Sequence, residues 1–285
     1  METSSLARRL ATRFVAGETL EQAIAVARRL KSEGIPVTLD HLGESVTNLE
    51  EAAAARDVYL RVLDALHAEG LEANVSLKLT QFGLDLSAEQ CLANVDQLVE
   101  RAAGLGGFVR VDMESSEYTQ RTLELVDQLH ARHGSVGTVI QSYLYRSRDD
   151  IRFLNGRRIR VRLCKGAYLE PASVAFPAKA DVDRNYLELA KLLLDEGVYP
   201  AMATHDEKLI TAIERYVAER KMARDGFEFQ MLYGIRRDLQ RRLVGEGYRL
   251  RLYVPFGRAW YPYYMRRLAE RPANVLFMLR NLFRR

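Results

Sequence analysis

The chain has 285 residues, of which 42 are Lys or Arg, 38 are Asp or Glu, 48% are hydrophobic, and 18 Gly, 7 Pro and 2 Cys complete the picture. A disordered chain would be poorer in apolar residues, and a fibrous or low-complexity chain richer in glycine and proline, so both classes are excluded. Two cysteines cannot staple a secreted scaffold or build a zinc cage, no run approaches the ~20 apolar residues of a membrane span, and a net charge of +4 with both signs interspersed exerts little pull on nucleic acid.

The opening METSSLARRLATRF lacks the apolar centre of a signal peptide, so a reducing, cytoplasmic setting is expected. Next, ETLEQAIAVARRLKSEG places Leu20, Ala23, Ile24, Ala27 and Leu30 on one face and ends in Gly34. That spacing predicts an amphipathic helix with a glycine stop, inside an N-terminal helical segment of about residues 1–35. The rhythm then changes to short apolar, β-branched runs that break into polar residues, as buried strands running into loops do. Eight such runs occur: 35–44, 73–80, 107–114, 136–143, 158–165, 199–206, 227–234 and 248–257. Helical patterns lie between them, clearest in DEKLITAIERYVAERKM, where Leu209, Ile210, Ile213, Tyr216 and Val217 form one stripe. No GxGxxG follows any strand, so an α/β chain of this length is expected to be a (β/α)8 TIM-type barrel, one domain over residues 1–285.

Active sites of such barrels lie at the C-terminal strand ends, where this chain carries Asp40, Lys78, Asp112, Gln141, Lys165, His205, Gln230 and Tyr253. Lys78 and Asp112 close consecutive strands, so their side chains can pair, either to hold an anion or merely to seal the barrel top. In RVRLCKGAYLEP, Arg162 and Lys165 flank an apolar strand end, and Gly166 and Ala167 leave room for a ligand beside the backbone. In YVPFGRAWYPYYMRRLAE, helical spacing groups Tyr263 with Arg266 and Arg267, with Glu270 a turn further on. Paired guanidinium forks suit a carboxylate or phosphate, although Arg-Arg pairs elsewhere in the chain show that a solvated basic face is the bland reading. No HExxH, CxxC or GxSxG occurs, so neither a metal centre nor a serine nucleophile is expected.

Taken together, RFVAGETLEQAIAVARRLKSEGIPVTLDHLGE, SLKLTQFG, RVDME, VIQSYLYR, RVRLCKGAYLEP, ATHDEKL, FEFQMLYG, RLYVPFG and YYMRRLAERPANVLF resemble the proline dehydrogenase family, in order, over roughly residues 13–277. The length is similar to the monofunctional type, without an aldehyde dehydrogenase module. The resemblance implies an FAD-dependent barrel that oxidises L-proline to 1-pyrroline-5-carboxylate by hydride transfer to flavin N5. It also implies that electrons pass to a membrane quinone, as the first step of proline catabolism to glutamate, with pyrroline-5-carboxylate dehydrogenase as a partner. By the same resemblance, Arg266, Arg267 and Lys78 hold the substrate carboxylate and Asp112 partners that lysine, while Tyr253, Tyr263, Leu232 and Tyr168 wall the pyrrolidine ring. Arg162 is similar to the arginine near N5, and Gln141, Lys165, Gly166, Ala167, Tyr168, Thr204, His205, Gln230 and Leu232 to flavin contacts. Lys179, Asp112 and Glu270 join that cofactor set, Glu270 as the carboxylate that steadies the arginine helix.

Two competing readings stay open. One is a Schiff-base aldolase or lyase of the same barrel class, with Lys78 or Lys165 as the amine. The other is a basic nucleic-acid or membrane-binding module. The tail ANVLFMLRNLFRR pairs an apolar stripe with Arg280, Arg284 and Arg285, which raises peripheral contact with the inner face of the membrane as an alternative to a helix packed on the barrel.

Overall fold

The computed structural model describes residues 13–260 except Glu44. Eight strands, β1 (Val37–His41), β2 (Asn74–Leu77), β3 (Phe108–Val111), β4 (Val136–Gln141), β5 (Arg160–Cys164), β6 (Ala201–Ala203), β7 (Glu228–Leu232) and β8 (Leu250–Phe256), pair in sequence order into a closed barrel. Every pairing is parallel, and the circle shuts where Val37 to His41 align with Leu252 to Phe256. Each strand falls inside one of the eight runs expected from the sequence.

Parallel strands need crossovers, and helices supply them. Helix α1 (Leu20–Ser32) precedes the barrel; α2 (Leu49–Ala68), α3 (Ala88–Gly104), α4 (Thr119–His133), α5 (Ser147–Gly156), α6 (Lys179–Glu196), α7 (Glu207–Glu219) and α8 (Arg237–Gly245) follow β1 to β7 in turn. Their starts are fixed by side chains that satisfy the first free N–H groups. Thr19 and Gln22 form a reciprocal capping box on α1, and Asn48, Ser87 and Asp206 cap α2, α3 and α7. Helix α1 turns Ala23, Ile24, Ala27 and Leu30 inward, the stripe read from its spacing.

Alternation along the strands sorts the side chains. Leu39, Val75, Leu77, Val109, Val161, Leu163, Phe229, Leu252 and Val254 join the apolar core with helix residues such as Leu63, Leu98 and Val126. The intervening positions are polar and meet one another inside the barrel. At the end where the strands begin, buried Arg251 donates from Nε to both oxygens of Glu228 (3.0 and 3.1 Å), from Nη1 to the Val37 carbonyl (3.0 Å) and from Nη2 to Glu72 (2.7 Å). Arg110 donates there to the carbonyls of Thr138 and Arg160. Burial alone would raise the Glu228 carboxyl, but Arg251 outweighs it and holds the group below the usual carboxylate range.

Strand β8 runs past the end of β7, and residues 13–17 take over beside it. The Ala16 N–H donates to the Pro255 carbonyl (2.8 Å) and the Gly257 N–H to the Gly17 carbonyl (2.9 Å). A Cβ at Gly234, whose φ is +77°, would lie 1.9 Å from the Arg13 carbonyl oxygen, so only glycine fits where this segment crosses the turn after β7.

Candidate active site

The C-terminal end of the barrel gathers charged and polar groups from five strands. Asp112 sits just beyond β3, its N–H donating to the Leu77 carbonyl at 2.7 Å. Its Oδ1 accepts from Arg162 Nη1 (2.8 Å) and its Oδ2 from the Tyr253 hydroxyl (2.9 Å). Arg162 is 6% exposed, donates from Nη2 to Ser76 Oγ (2.9 Å), and lies 5.4 Å from the centre of the Tyr253 ring. Below it, Thr38 Oγ1 and Ser76 Oγ are 3.1 Å apart. Lys78 follows β2 and is flanked by Asp112 at 3.8 Å and Asp40 of β1 at 3.9 Å.

Lys78 keeps its position because the short 3-10 turn after it, Leu79–Phe82, is anchored: Glu114 accepts from the Thr80 N–H (3.1 Å) and hydroxyl (2.7 Å). Burial alone would depress the Lys78 ammonium, but Asp40 and Asp112 outweigh it and push its titration above the usual lysine range. The magnitudes support that order: two carboxylates near 4 Å each contribute about 4 kcal/mol at an effective dielectric of 20, against a desolvation penalty of several kcal/mol for one ion.

A second cluster lies beyond β5 and β6. Lys165 contacts Asp183 of α6 (2.6 Å) and Asp206, the α7 cap (2.8 Å). Lys179, the first residue of α6, contacts the same two carboxylates. Burial would raise Asp183 and Asp206, but the two lysines hold both below the usual carboxylate range. Gly166 has φ +117°, and a Cβ there would lie 2.5 Å from the Tyr143 ring, so close packing of that ring requires glycine regardless of any ligand.

His205 Nε2 accepts the Leu232 N–H at 2.9 Å, which ties the end of β6 to β7 and, in this arrangement, leaves the ring proton on Nδ1. Thr204 receives the Asp206 N–H (3.1 Å), and Gln141 donates from Nε2 to the Glu114 carbonyl (2.8 Å). Gln230 donates to Glu228. Ala167, Tyr168 and Leu232 are partly exposed on the same rim.

The structure thus brings together Lys78, Asp112, Arg162 and Tyr253, and sets Lys165 and Lys179 in a neighbouring ion-paired cluster. Tyr263, Arg266, Arg267 and Glu270 lie outside the described residues, as does the tail from Asn274 to Arg285. Sequence reasoning named Asp40 as a strand end but gave it no role, and did not find Ser76, Asp183 or Asp206. Asp40 carried a usable signal, because it closes the strand next to that of Lys78. Asp183 carried none: a carboxylate on a helix reads as an ordinary solvated face.

A flavin ring offers carbonyl acceptors and one N–H donor, so its seat needs a buried cation and a buried acceptor. Arg162 Nε and Gln230 Oε1 are both buried and without a hydrogen-bond partner, and this donor set fits such a ring. Among the described residues no helix is long and apolar enough to cross a membrane.

A family model described as proline dehydrogenase matches residues 23–280. A protein named proline dehydrogenase from Deinococcus radiodurans is 45% identical over 96% of this chain and 90% of its own length. Proline dehydrogenase 1 of Bacillus subtilis is 42% identical over 96% of this chain and 91% of its own. Among solved structures, proline utilization A from Bdellovibrio bacteriovorus inactivated by N-propargylglycine superposes with a TM-score of 0.86 at 27% identity, over 92% of this chain. The present chain spans 32% of that longer protein.

Proposed function

The chain belongs to the proline dehydrogenase family and is an oxidoreductase of proline, and we propose that it converts L-proline to 1-pyrroline-5-carboxylate with FAD seated across the barrel mouth. The observation that carries this reading is the junction at Asp112, where Lys78, Arg162 and Tyr253 from three other strands converge on one carboxylate. The flavin, when bound, supplies the acceptor for the hydride that leaves the ring carbon beside nitrogen. Its holders would be Arg162, Gln141, Gly166, Ala167, Thr204, His205, Gln230 and Leu232, with Lys165, Lys179, Asp112 and Glu270 supporting them.

Charge arithmetic assigns the substrate end. Asp40 and Asp112 balance Lys78 and Arg162 within the cluster, so an arriving carboxylate needs further cations. Arg266 and Arg267 provide these, with Lys78 completing the clamp. Clamping one end of a small rigid ring orients the other end, and the walls formed by Tyr253, Tyr263, Tyr168 and Leu232 exclude competing poses. Asp112 holds Arg162, Lys78 and Tyr253 in register for both tasks. The aldolase alternative finds no support. A Schiff base needs a free neutral amine, whereas Lys78 is held as an ammonium by two carboxylates and Lys165 has its Nζ engaged by Asp183 and Asp206.

Beyond the reaction itself, electron transfer to a membrane quinone, consumption of the product by pyrroline-5-carboxylate dehydrogenase, and a cytoplasmic site with peripheral contact through the basic tail complete the proposal. The decisive test is an anaerobic visible spectrum of the purified protein before and after L-proline. A yellow protein whose flavin bands bleach on addition is expected; bands unchanged by L-proline would overturn the reading.

A further inference from the structure

We propose that Asp40 is a positioning residue for proline: it holds the Lys78 ammonium at the mouth by charge, so that the N–H donors of that group stay available to the substrate carboxylate. The inference rests on the mouth being the proline site, and adds a residue to it.

Asp40 is 1% exposed and is the last residue but one of β1. Its Oδ1 lies 3.9 Å from Lys78 Nζ and 3.3 Å from the Tyr59 hydroxyl, while its Oδ2 is buried with no hydrogen-bond partner. A buried carboxylate with one oxygen unmatched is destabilising on its own, so its position calls for a reason beyond packing. Lys78 supplies one. Asp112 is also within reach of that ammonium, but Arg162 and Tyr253 already occupy its two oxygens at 2.8 and 2.9 Å. Asp40 has no other cation within ion-pairing distance among the described residues, so its charge acts on Lys78 undivided.

A lysine stem has four rotatable carbons and three equivalent donors, and left alone it would sample many positions. Carboxylates on β1 and β3, one on each side, confine the ammonium between them at 3.8 and 3.9 Å. At those separations the restraint is one of charge rather than of direct hydrogen bonds. The groups whose charge acts on Lys78 are Asp40 and Asp112, at 3.9 and 3.8 Å, and more weakly Tyr168 and Glu114, with Arg162 paired to Asp112 and Tyr59 and His41 beside Asp40. Among these, Asp40 exerts the strongest pull and opposes the effect of burial.

The test is steady-state kinetics of flavin-bound Asp40→Asn, beside wild type and Asp40→Glu. Removing the charge while keeping the shape is expected to raise the KM for L-proline on the order of tenfold, with a smaller change in kcat. Asp40→Glu restores the charge and should recover the KM in part. A purely structural role would lower flavin content or thermal stability and leave the KM of the flavin-bound protein in place, and that result overturns the proposal. Should Asp40→Asn fail to accumulate with flavin, Tyr59→Phe loosens Asp40 without removing it; a KM two to three times higher supports the inference, and an unchanged KM sinks it. If wild type itself is not bleached by L-proline, the site reading has failed rather than the role of Asp40.

Discussion

Both ends of this barrel are built from buried arginines and carboxylates, yet they are finished differently. Where the strands begin, Arg251 contacts both Glu228 oxygens, a main-chain carbonyl and Glu72, so that each of its three side-chain nitrogens has a partner. At the opposite end, Arg162 engages Asp112 and Ser76 but keeps Nε unmatched, and Asp40 and Gln230 each keep an oxygen unmatched. A closed network fixes a fold, whereas an open one still has bonds to make with something that arrives later. The same residue type therefore serves structure at one end and chemistry at the other.

Substitutions can break that contrast. Arg251→Ala strands the Glu228 charge inside the barrel, and unfolding in urea should show a loss of about 3–5 kcal/mol, while the folded fraction retains its KM for proline. A shifted KM would mean that the two ends are not independent. Next in size, Arg266→Ala or Arg267→Ala should each weaken kcat/KM by about 2–4 kcal/mol, chiefly through KM, with flavin retained; unchanged proline kinetics in both variants contradicts the clamp. Arg162→Ala should slow flavin reduction by about a hundredfold in stopped-flow measurements, or loosen the flavin, and disturb stability less than Arg251→Ala because Lys78 and Tyr253 still contact Asp112. Equal losses of stability from the two arginines would erase the distinction.

The smallest effect is one of pH. Burial, with Arg61 assisting and Asp40 opposing, holds the His41 ring below its usual value of 6.5. The unfolded chain then takes up this proton first as pH falls, so the stabilisation present above about 6.5 is lost on acidification toward the folded value. Thermal melts at pH 7 and 5.5 should separate less in His41→Gln than in wild type; parallel behaviour would show that His41 carries no share of the acid sensitivity.

Legibility of the sequence followed the range of the interactions. Strands of a barrel turn apolar, β-branched residues toward the helices at every second position, and the eight runs with that character contain the eight strands, the first trimmed from 35–44 to Val37–His41. The Lys78–Asp112 pair was legible because consecutive strands are neighbours. Arg162 could not be told from a surface charge, since its partners Asp112 and Ser76 are 50 and 86 residues away. No sequence signal marked Tyr59, whose hydroxyl donates to the Ser76 carbonyl at 2.8 Å and lies 3.3 Å from Asp40, because both partners are on other elements. Gly166 was read as space for a ligand, and the Tyr143 ring that fills its missing Cβ volume could be found only in three dimensions.

The pairing of Ala16 and Gly17 with Pro255 and Gly257 changes where this barrel begins. Anyone trimming the gene to a minimal catalytic core would cut just ahead of Val37, treating what precedes it as an appendage. That cut would strip the outer edge from the last strand, at the root of the stretch that leads to the arginine pair. A shortened enzyme should therefore start no later than Arg13, and fusion partners joined there need a slack connector so that they do not tug on the catalytic rim.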